Sequence, residues 1–199
     1  MKTYDKKTLE AIARNQLKKY DPTLLVGEPR AIPIEDIVER YYGLEIEYRY
    51  LRKNGHVLGC TVFDDTLLPI WNDDEKQYEL ISVNRDTIVI SAALLDDRSI
   101  GRLRYTIAHE LGHWLIHREI YSGEGVAAAS SIQTSLEENP AVERQADILA
   151  SALLMPCGQV KHAFYAIRDM HNPITILAGL FDVSKQAMSI FLKDHHLLD

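Results

Sequence analysis

One segment constrains the fold more than any other, because it places three ionisable side chains inside an apolar helical pattern. Residues 104–117 run Arg-Tyr-Thr-Ile-Ala-His-Glu-Leu-Gly-His-Trp-Leu-Ile-His, with apolar residues over much of the helix surface. A helix of this composition is expected at the centre of the fold and largely buried. Burying His109, Glu110 and His113 without partners would cost several kcal/mol in total, so the fold has to provide partners for them.

The spacing of these three residues indicates a metal site. His109 and His113 are one helical turn apart, so their imidazoles lie on one face and can reach the same ion. Glu110 is turned about 100° from His109 around the helix axis. It therefore lies beside the ion, where it can take a proton from water. The motif H-E-x-x-H predicts a catalytic Zn²⁺ site with Glu110 as the base, and the apolar context disfavours two ordinary surface histidines.

A catalytic zinc ion needs a third protein ligand, and the next helix offers one. The pair Asn139-Pro140 predicts the start of that helix, with asparagine as the N-cap and proline at the first position. Glu143 and Asp147 follow on one face, one turn apart. Glu143 can complete the ligand set, and Asp147 can hydrogen-bond the distal nitrogen of a ligating histidine. Glu137 and Glu138, which precede the helix, are rival ligands.

The residues after the second histidine exclude one class of zinc peptidase. A metzincin would need glycine and a third histidine at positions that Ile116 and Glu119 occupy. His117 lies one turn after His113 and could approach the site. We expect it instead to be an ordinary polar residue at the end of the helix, where a cation is mildly favoured.

The period of the hydrophobic pattern changes along the chain and predicts an α+β fold. Helices are expected over 6–20 and 34–42, and again from residue 99 almost to the C-terminus. Four short strands are predicted at residues 44–51, 57–63, 67–71 and 87–91. Their polar turns favour a small, mostly antiparallel sheet. Residues 121–138, rich in Gly, Ala and Ser, predict a long loop.

We expect residues 1–199 to form a single domain, because the chain has the length of one ordinary core and shows no repeats. Its predicted parts are N-terminal helices (1–43), the small sheet (44–98), the helices of the site (99–156) and a C-terminal helical bundle (157–199). Over residues 174–193 the bundle has the residue spacing of a helix-turn-helix. We expect these helices to pack beside the core, since residues 159–199 carry four Lys or Arg against four Asp.

The composition of the chain limits the classes of binding partner and the cellular compartment that we expect. The formal net charge is −7 and the pI is about 5.6, and no block of Lys and Arg is present, which disfavours direct nucleic-acid binding and favours a protein partner. The longest apolar stretches are too short to span a membrane. No signal peptide is evident, and Cys60 and Cys157 lie far apart, so a reducing cytoplasm is the expected compartment.

Three segments resemble the ImmA/IrrE-type metallopeptidases. Residues 104–113 look like the active-site segment of that family, residues 143–156 are similar to its second motif, and residues 176–192 are similar to its tail. The resemblance runs from about residue 34 to the C-terminus. The chain departs from the family pattern in the tail, where Phe191 occupies a position at which arginine is common.

The resemblance implies a zincin-like helical core and a zinc endopeptidase that relieves repression by cleaving a DNA-binding repressor of a mobile element or a stress response. By position, it makes His109, His113 and Glu143 the zinc ligands and Glu110 the base, with Asp147 at a place where the family has Asn or Asp. Two other functions stay open. One is a binding protein that sequesters a repressor or an antitoxin-like partner and keeps zinc as a structural ion; the other is a DNA-binding regulator that uses its C-terminal helices.

Overall fold

The computed structural model describes residues 3–51, 57–96, 100–121 and 139–198. The helices are α1 (Lys6–Tyr20), α2 (Thr23–Val26), α3 (Ile34–Asp36), α4 (Ala93–Asp96), α5 (Ile100–Ile116), α6 (Arg118–Tyr121), α7 (Pro140–Leu154), α8 (Cys157–Ile167), α9 (Pro173–Phe181) and α10 (Lys185–Asp194). The strands are β1 (Glu45–Arg49), β2 (Gly59–Val62), β3 (Thr66–Asn72), β4 (Gln77–Val83) and β5 (Thr87–Ser91). The predicted α+β class is confirmed.

The strands form two small sheets instead of the single one that was predicted. The first sheet has the order β1-β5-β2, with β5 in the middle, and the second is the antiparallel hairpin β3-β4. β5 pairs with β2 antiparallel and with β1 parallel, so two of the three pairings agree with the expected antiparallel arrangement. β5 is buried along its whole length, which explains its nearly continuous apolar sequence.

Two elements differ from the sequence-based prediction. β4 was not predicted, because its apolar residues do not sort cleanly into a buried and an exposed set: Tyr78 and Leu80 are 50% and 65% exposed. The predicted helix over 34–42 is the short α3 followed by a π-helix, Ile37–Tyr41. In that π-helix the backbone N–H of Tyr42 donates to the carbonyl of Ile37, five residues back.

One hydrophobic core joins helices from both ends of the chain to the central helix α5. α1 begins at the N-cap Asp5, whose side chain accepts from Thr8 N, and it buries the stripe Leu9, Ala13 and Leu17. α5 and α7 supply the middle of the same core. β1 and β5 contact it through the face that carries Ile88 and Ile90.

The C-terminal helices α9 and α10 pack on this core, as predicted. Phe181 and Met188 are fully buried in it, and Ser184 caps α10 by accepting from Ala187 N at 3.0 Å. Within the described ranges, no single helix is long and apolar enough to cross a membrane; α9 and α10 meet that test only as a pair bent by 108°.

Arg104 links three parts of the chain at the base of α5. Its Nη1 donates to Glu35 Oε2 at 3.1 Å, its Nε donates to the carbonyl of Asp182 at 3.2 Å, and its Nη2 donates to the carbonyl of Ile32. The side chain is 9% exposed. The guanidinium therefore satisfies two backbone carbonyls and fixes α5 against the segment before α3 and the end of α9.

Replacing Arg104 with Met should lower the free energy of unfolding by about 2–4 kcal/mol, because two carbonyls and a carboxylate lose a nearly buried donor. Urea denaturation measures the change. Glu35→Gln is the control: that carboxylate is 38% exposed, so its removal should cost about 1 kcal/mol or less. An Arg104→Met protein as stable as the wild type would show that the guanidinium does not hold these segments together.

Candidate metal centre

α5 carries the two histidines and the glutamate of the H-E-x-x-H motif into the interior. His113 and Glu110 are buried, at 8% and 7% exposure, and the side chain of His109 is 17% exposed. Ile107, Ala108 and Leu111 on the same helix belong to the core. The apolar residues of the motif therefore fix the helix inside the protein, and its two histidines face a common point beside α7.

His109, His113 and Glu143 converge at that point. His109 Nε2 lies 3.1 Å from Glu143 Oε2, His113 Nε2 lies 3.5 Å from Glu143 Oε1, and the two Nε2 atoms are 3.0 Å apart. One ligand atom from each residue lies within 4.8 Å of the other two, so the three can hold a metal ion. Within the described residues this is the one group of its kind.

The donor set and its spacing fit zinc. Ligands about 2.0–2.2 Å from a tetrahedral zinc ion lie roughly 3.3–3.5 Å from one another, close to the separations of the three atoms here. Two imidazole nitrogens and one carboxylate oxygen leave a fourth position open, as catalytic zinc sites do. The two Nε2 atoms, 3.0 Å apart, form a hydrogen bond if one of them carries a proton and the other does not.

Asp147 orients the ring of His109. His109 Nδ1 donates to Asp147 Oδ1 at 3.0 Å, which leaves Nε2 directed at Glu143. The hydroxyl of Tyr105 also donates to Asp147 Oδ1, at 3.2 Å, and so holds the carboxylate in place. A carboxylate on the distal nitrogen of a ligating histidine fixes the tautomer and increases the basicity of the ligand.

The electrostatics of the cluster follow from these contacts. Burial lowers the pKa of His109, but its hydrogen bonds to Asp147 and Glu143 outweigh burial and raise the pKa to about 10. Burial raises the pKa of Glu143, whereas the hydrogen bond from His109 and the closeness of both imidazoles bring it well below its ordinary value. The cluster is thus charged at neutral pH, and a bound metal ion would replace a proton on His109.

Glu110, the residue after His109 on α5, contacts strand β2. Thr61 Oγ1 is 2.8 Å from Glu110 Oε2 and 2.9 Å from the Glu110 carbonyl oxygen, and its single proton can serve one of them at a time. A Cβ at Gly59 would lie 2.7 Å from Glu110 Oε1 and 2.9 Å from a methyl group of Thr106. Glycine at position 59 therefore lets β2 approach close enough to contact the carboxylate.

His117 differs from its sequence-based interpretation. It was expected to be a polar residue at the helix end, yet it is fully buried. Its Nδ1 lies 3.0 Å from Nδ1 of His113. Burial and the neighbouring His113 lower the pKa of His117 to about 4, so its ring is neutral at pH 7. The spacing of one turn after His113 was the signal in the sequence that His117 could approach the site.

The predicted site residues thus fall into two sets. His109, His113 and Glu143 come together, Asp147 is hydrogen-bonded to His109, and Glu110 contacts Thr61 of β2. The rival ligands Glu137 and Glu138, and all of the predicted loop except Tyr121, lie outside the described residues; Tyr121 is the last residue of α6.

Sequence reasoning missed the contributions of Gly59, Thr61 and Tyr105. Gly59 and Thr61 reach the site through the pairing of β2 with β5 and the packing of β2 on α5, and neither leaves a local sequence signal. The hydroxyl of Tyr105 on α5 is hydrogen-bonded to Asp147 on α7, a contact between two helices that leaves no local sequence signal either.

A short contact between α5 and α7 brings the two halves of the cluster together. A Cβ at Gly112 would lie 3.3 Å from the carbonyl oxygen of Ala146 and 3.4 Å from its Cα. Gly112 precedes His113, and Ala146 precedes Asp147. The backbones can therefore approach closely at the level of the ligands, which sets how far Glu143 and Asp147 lie from the histidines.

Comparison with known proteins identifies the family. Residues 67–193 match the family model described as the IrrE N-terminal-like domain, Peptidase_M78. A solved structure of a Mycobacterium tuberculosis transcriptional regulator is similar to this chain, with a TM-score of 0.51 and 14% identity over 93% of this chain and 55% of that chain. This chain spans little more than half the length of that protein, and the similarity concerns the fold alone. Among curated proteins, none matches.

Replacing Gly112 with Val should weaken zinc binding at least tenfold, because the added carbons push α7 and its ligands away from α5. The free energy of unfolding of the metal-free protein should fall by about 1–3 kcal/mol. Chelator competition and urea denaturation measure the two effects. Gly179→Val is the matched control, since a Cβ there meets nothing within 4 Å. Equal zinc affinity in both variants would show that the close approach of α5 and α7 does not set the ligand spacing.

Proposed function

Because this chain belongs to the IrrE N-terminal-like family of metallopeptidases, Peptidase_M78, we propose that it is a zinc-dependent endopeptidase. The observation that carries the proposal is the convergence of His109, His113 and Glu143, with the carboxylate of Glu110 close enough to raise the pKa of His109. We further propose that residues 1–199 work as one peptidase domain with a zincin-like core. The shared core of α1, α5, α7, α9 and α10 supports this.

His109, His113 and Glu143 would hold the zinc ion. When bound, zinc polarises a scissile carbonyl and makes water more acidic. The neighbouring residues keep the ligand atom of His109 available: Asp147 accepts a hydrogen bond from the Nδ1–H of His109, and the hydroxyl of Tyr105 donates to Asp147.

Glu110 is the general base in this proposal. Its carboxylate takes a proton from the attacking water and returns it, as a general acid, to the amine nitrogen that leaves. Thr61 can donate to the Oε2 atom or turn to the backbone carbonyl of Glu110, so the carboxylate can lose this hydrogen bond without leaving the hydroxyl unpaired. Gly59 keeps the carboxylate beside the sheet.

The sheet edge next to Glu110 can present an extended substrate. In the described part of the chain β2 pairs with β5, and its opposite edge pairs with no strand. An extended peptide can add to such an edge through main-chain hydrogen bonds. Thr61 lies on β2 and contacts Glu110, so a peptide on this edge would pass close to the base. This arrangement favours cleavage within a chain over removal of a terminal residue.

The proposed substrate is a protein, and specifically a DNA-binding repressor whose cleavage relieves repression. A peptidase family implies a protein substrate, and the net charge of −7 favours a basic target. The alternatives are a regulator that sequesters its partner without cutting it, and a DNA-binding regulator that uses the C-terminal helices. Glu110 disfavours the first, since a structural zinc site needs no carboxylate beside it. The burial of α9 and α10 in the core leaves fewer of their side chains for DNA.

Replacing Glu110 with Gln should abolish cleavage, with turnover lowered about 10²–10⁴-fold and zinc binding kept, because the base is lost and the ligands are not. New protein N-termini are compared in cells that express wild type, Glu110→Gln or the control Glu119→Gln, which removes an exposed carboxylate from α6. A fragment present with wild type and Glu119→Gln, and absent with Glu110→Gln, would identify the substrate.

Identical sets of N-termini, together with purified zinc-loaded protein that fails to cut candidate repressors, would favour the sequestering regulator. Tight, salt-sensitive binding to duplex DNA would favour the DNA-binding alternative. Cleavage that survives Glu110→Gln would refute Glu110 as the base.

Replacing Glu143 with Ala should lower zinc affinity more than about 100-fold, because a tetrahedral site loses one of three protein ligands. Titration against a fluorescent chelator measures the affinity, and Glu39→Ala, which removes an exposed carboxylate from the π-helix, is the control. Full zinc occupancy after Glu143→Ala would instead assign the third ligand to Glu137 or Glu138.

A further inference from the structure

The end of α5 contains a histidine that the proposed mechanism does not use. His117 is fully buried, and its ring centroid lies 5.0 Å from that of His113, with the ring planes inclined by 52°. Its Nδ1 is 3.0 Å from His113 Nδ1. The opposite nitrogen of His113, Nε2, lies at the candidate metal site, 3.5 Å from Glu143 Oε1.

The contact between the two Nδ1 atoms permits two arrangements of protons in neutral rings. In the first, His113 donates from Nδ1 and His117 accepts, so His113 Nε2 carries no proton and can bind a metal ion. In the second, His117 donates and His113 accepts, so the proton of His113 sits on Nε2 and blocks it. Only the first arrangement is compatible with a ligand role for His113.

The first arrangement has an energetic consequence at His117. Its remaining proton then lies on Nε2, which is buried and has no hydrogen-bond partner among the described residues. An unpaired buried donor destabilises the folded state, whereas an apolar ring of similar shape would not. Packing alone therefore does not explain a histidine at this position, but the need of His113 for an acceptor does.

His109 also has an acceptor at its Nδ1 atom. His109 Nδ1 donates to Asp147 Oδ1 at 3.0 Å, and its Nε2 points at Glu143. His113 has the equivalent need, and among the described residues His117 is the one that contacts its Nδ1. Each histidine of the cluster is thus paired at its distal nitrogen by a different kind of acceptor.

We propose that His117 is a positioning residue, which accepts a hydrogen bond from the Nδ1–H of His113 and so keeps His113 Nε2 directed, without a proton, at the metal. The inference rests on the proposed metal site and goes beyond it by adding a residue outside the ligand set. It also predicts the tautomer of His113 before any ion binds.

Two variants separate this role from packing. His117→Phe keeps a ring of similar shape and removes the acceptor. His117→Asn restores an acceptor near the place of Nδ1, since the side-chain oxygen of asparagine can occupy it. His171→Phe, at an exposed position, is the control. Zinc affinity is measured by chelator competition, the free energy of unfolding of the metal-free protein by urea, and the tautomer of His113 by ¹⁵N-detected histidine NMR.

We expect zinc to bind His117→Phe about 10–100-fold more weakly than wild type, with most of the loss recovered in His117→Asn. The metal-free His117→Phe protein should be as stable as wild type or more stable. In metal-free wild type the proton of His113 should sit on Nδ1, and in His117→Phe a substantial fraction should move to Nε2.

Unchanged zinc affinity in His117→Phe would overturn the inference, as would an Nε2 proton on His113 in the wild-type protein. A loss of stability equal in His117→Phe and His117→Asn, with zinc affinity unaltered, would assign His117 to packing. Failure of the wild-type protein to bind zinc would refute the proposed metal site, and the tautomer of His113 would then decide the role of His117 by itself.

Discussion

The site depends on how closely α5 and α7 approach each other. Two imidazoles and a carboxylate act together only when their ligand atoms lie within about one hydrogen-bond length of one another. Gly112 and Ala146 are the small residues that make this possible, because a Cβ at Gly112 would already lie 3.3 Å from the Ala146 carbonyl. His113 and Asp147 come next to them in the sequence. The distance between α5 and α7 therefore determines the geometry of the cluster.

A second close approach fixes α5 against the sheet. β2 packs against the helix at Gly59, and this places the hydroxyl of Thr61 2.8 Å from a carboxylate oxygen of Glu110. α5 is thus held between a helix that completes the metal cluster and a strand that contacts the proposed base. Arg104 fixes the remaining end of the helix through its bonds to Ile32 and Asp182. Contacts with α7, with β2 and through Arg104 therefore position the helix that carries the motif.

The sequence predicted what local spacing determines and missed what depends on distant contacts. His109, Glu110 and His113 follow from one helical period, and the Asn139-Pro140 start signal fixed the helix that carries Glu143 and Asp147. The parallel pairing of β1 with β5, the π-helix over 37–41 and the place of Thr61 beside Glu110 depend on contacts between segments far apart in the chain. Hydrophobic periodicity contains no information about such pairings. His117 is intermediate, since its spacing was visible but its burial depends on the elements packed around it.

The two ligand histidines have different partners because one partner position is exposed to solvent and the other is buried. Asp147, which accepts from His109, has a side chain that is 54% exposed, where water solvates its charge. The position next to His113 is fully buried, and a carboxylate there would carry a desolvation cost of several kcal/mol. It would also add to the negative charge of Glu110 and Glu143. A neutral imidazole accepts the hydrogen bond from His113 without this desolvation cost and without adding negative charge. Hydrogen bonds at Nδ1 can thus leave Nε2 of both His109 and His113 free for one ion without adding a buried charge.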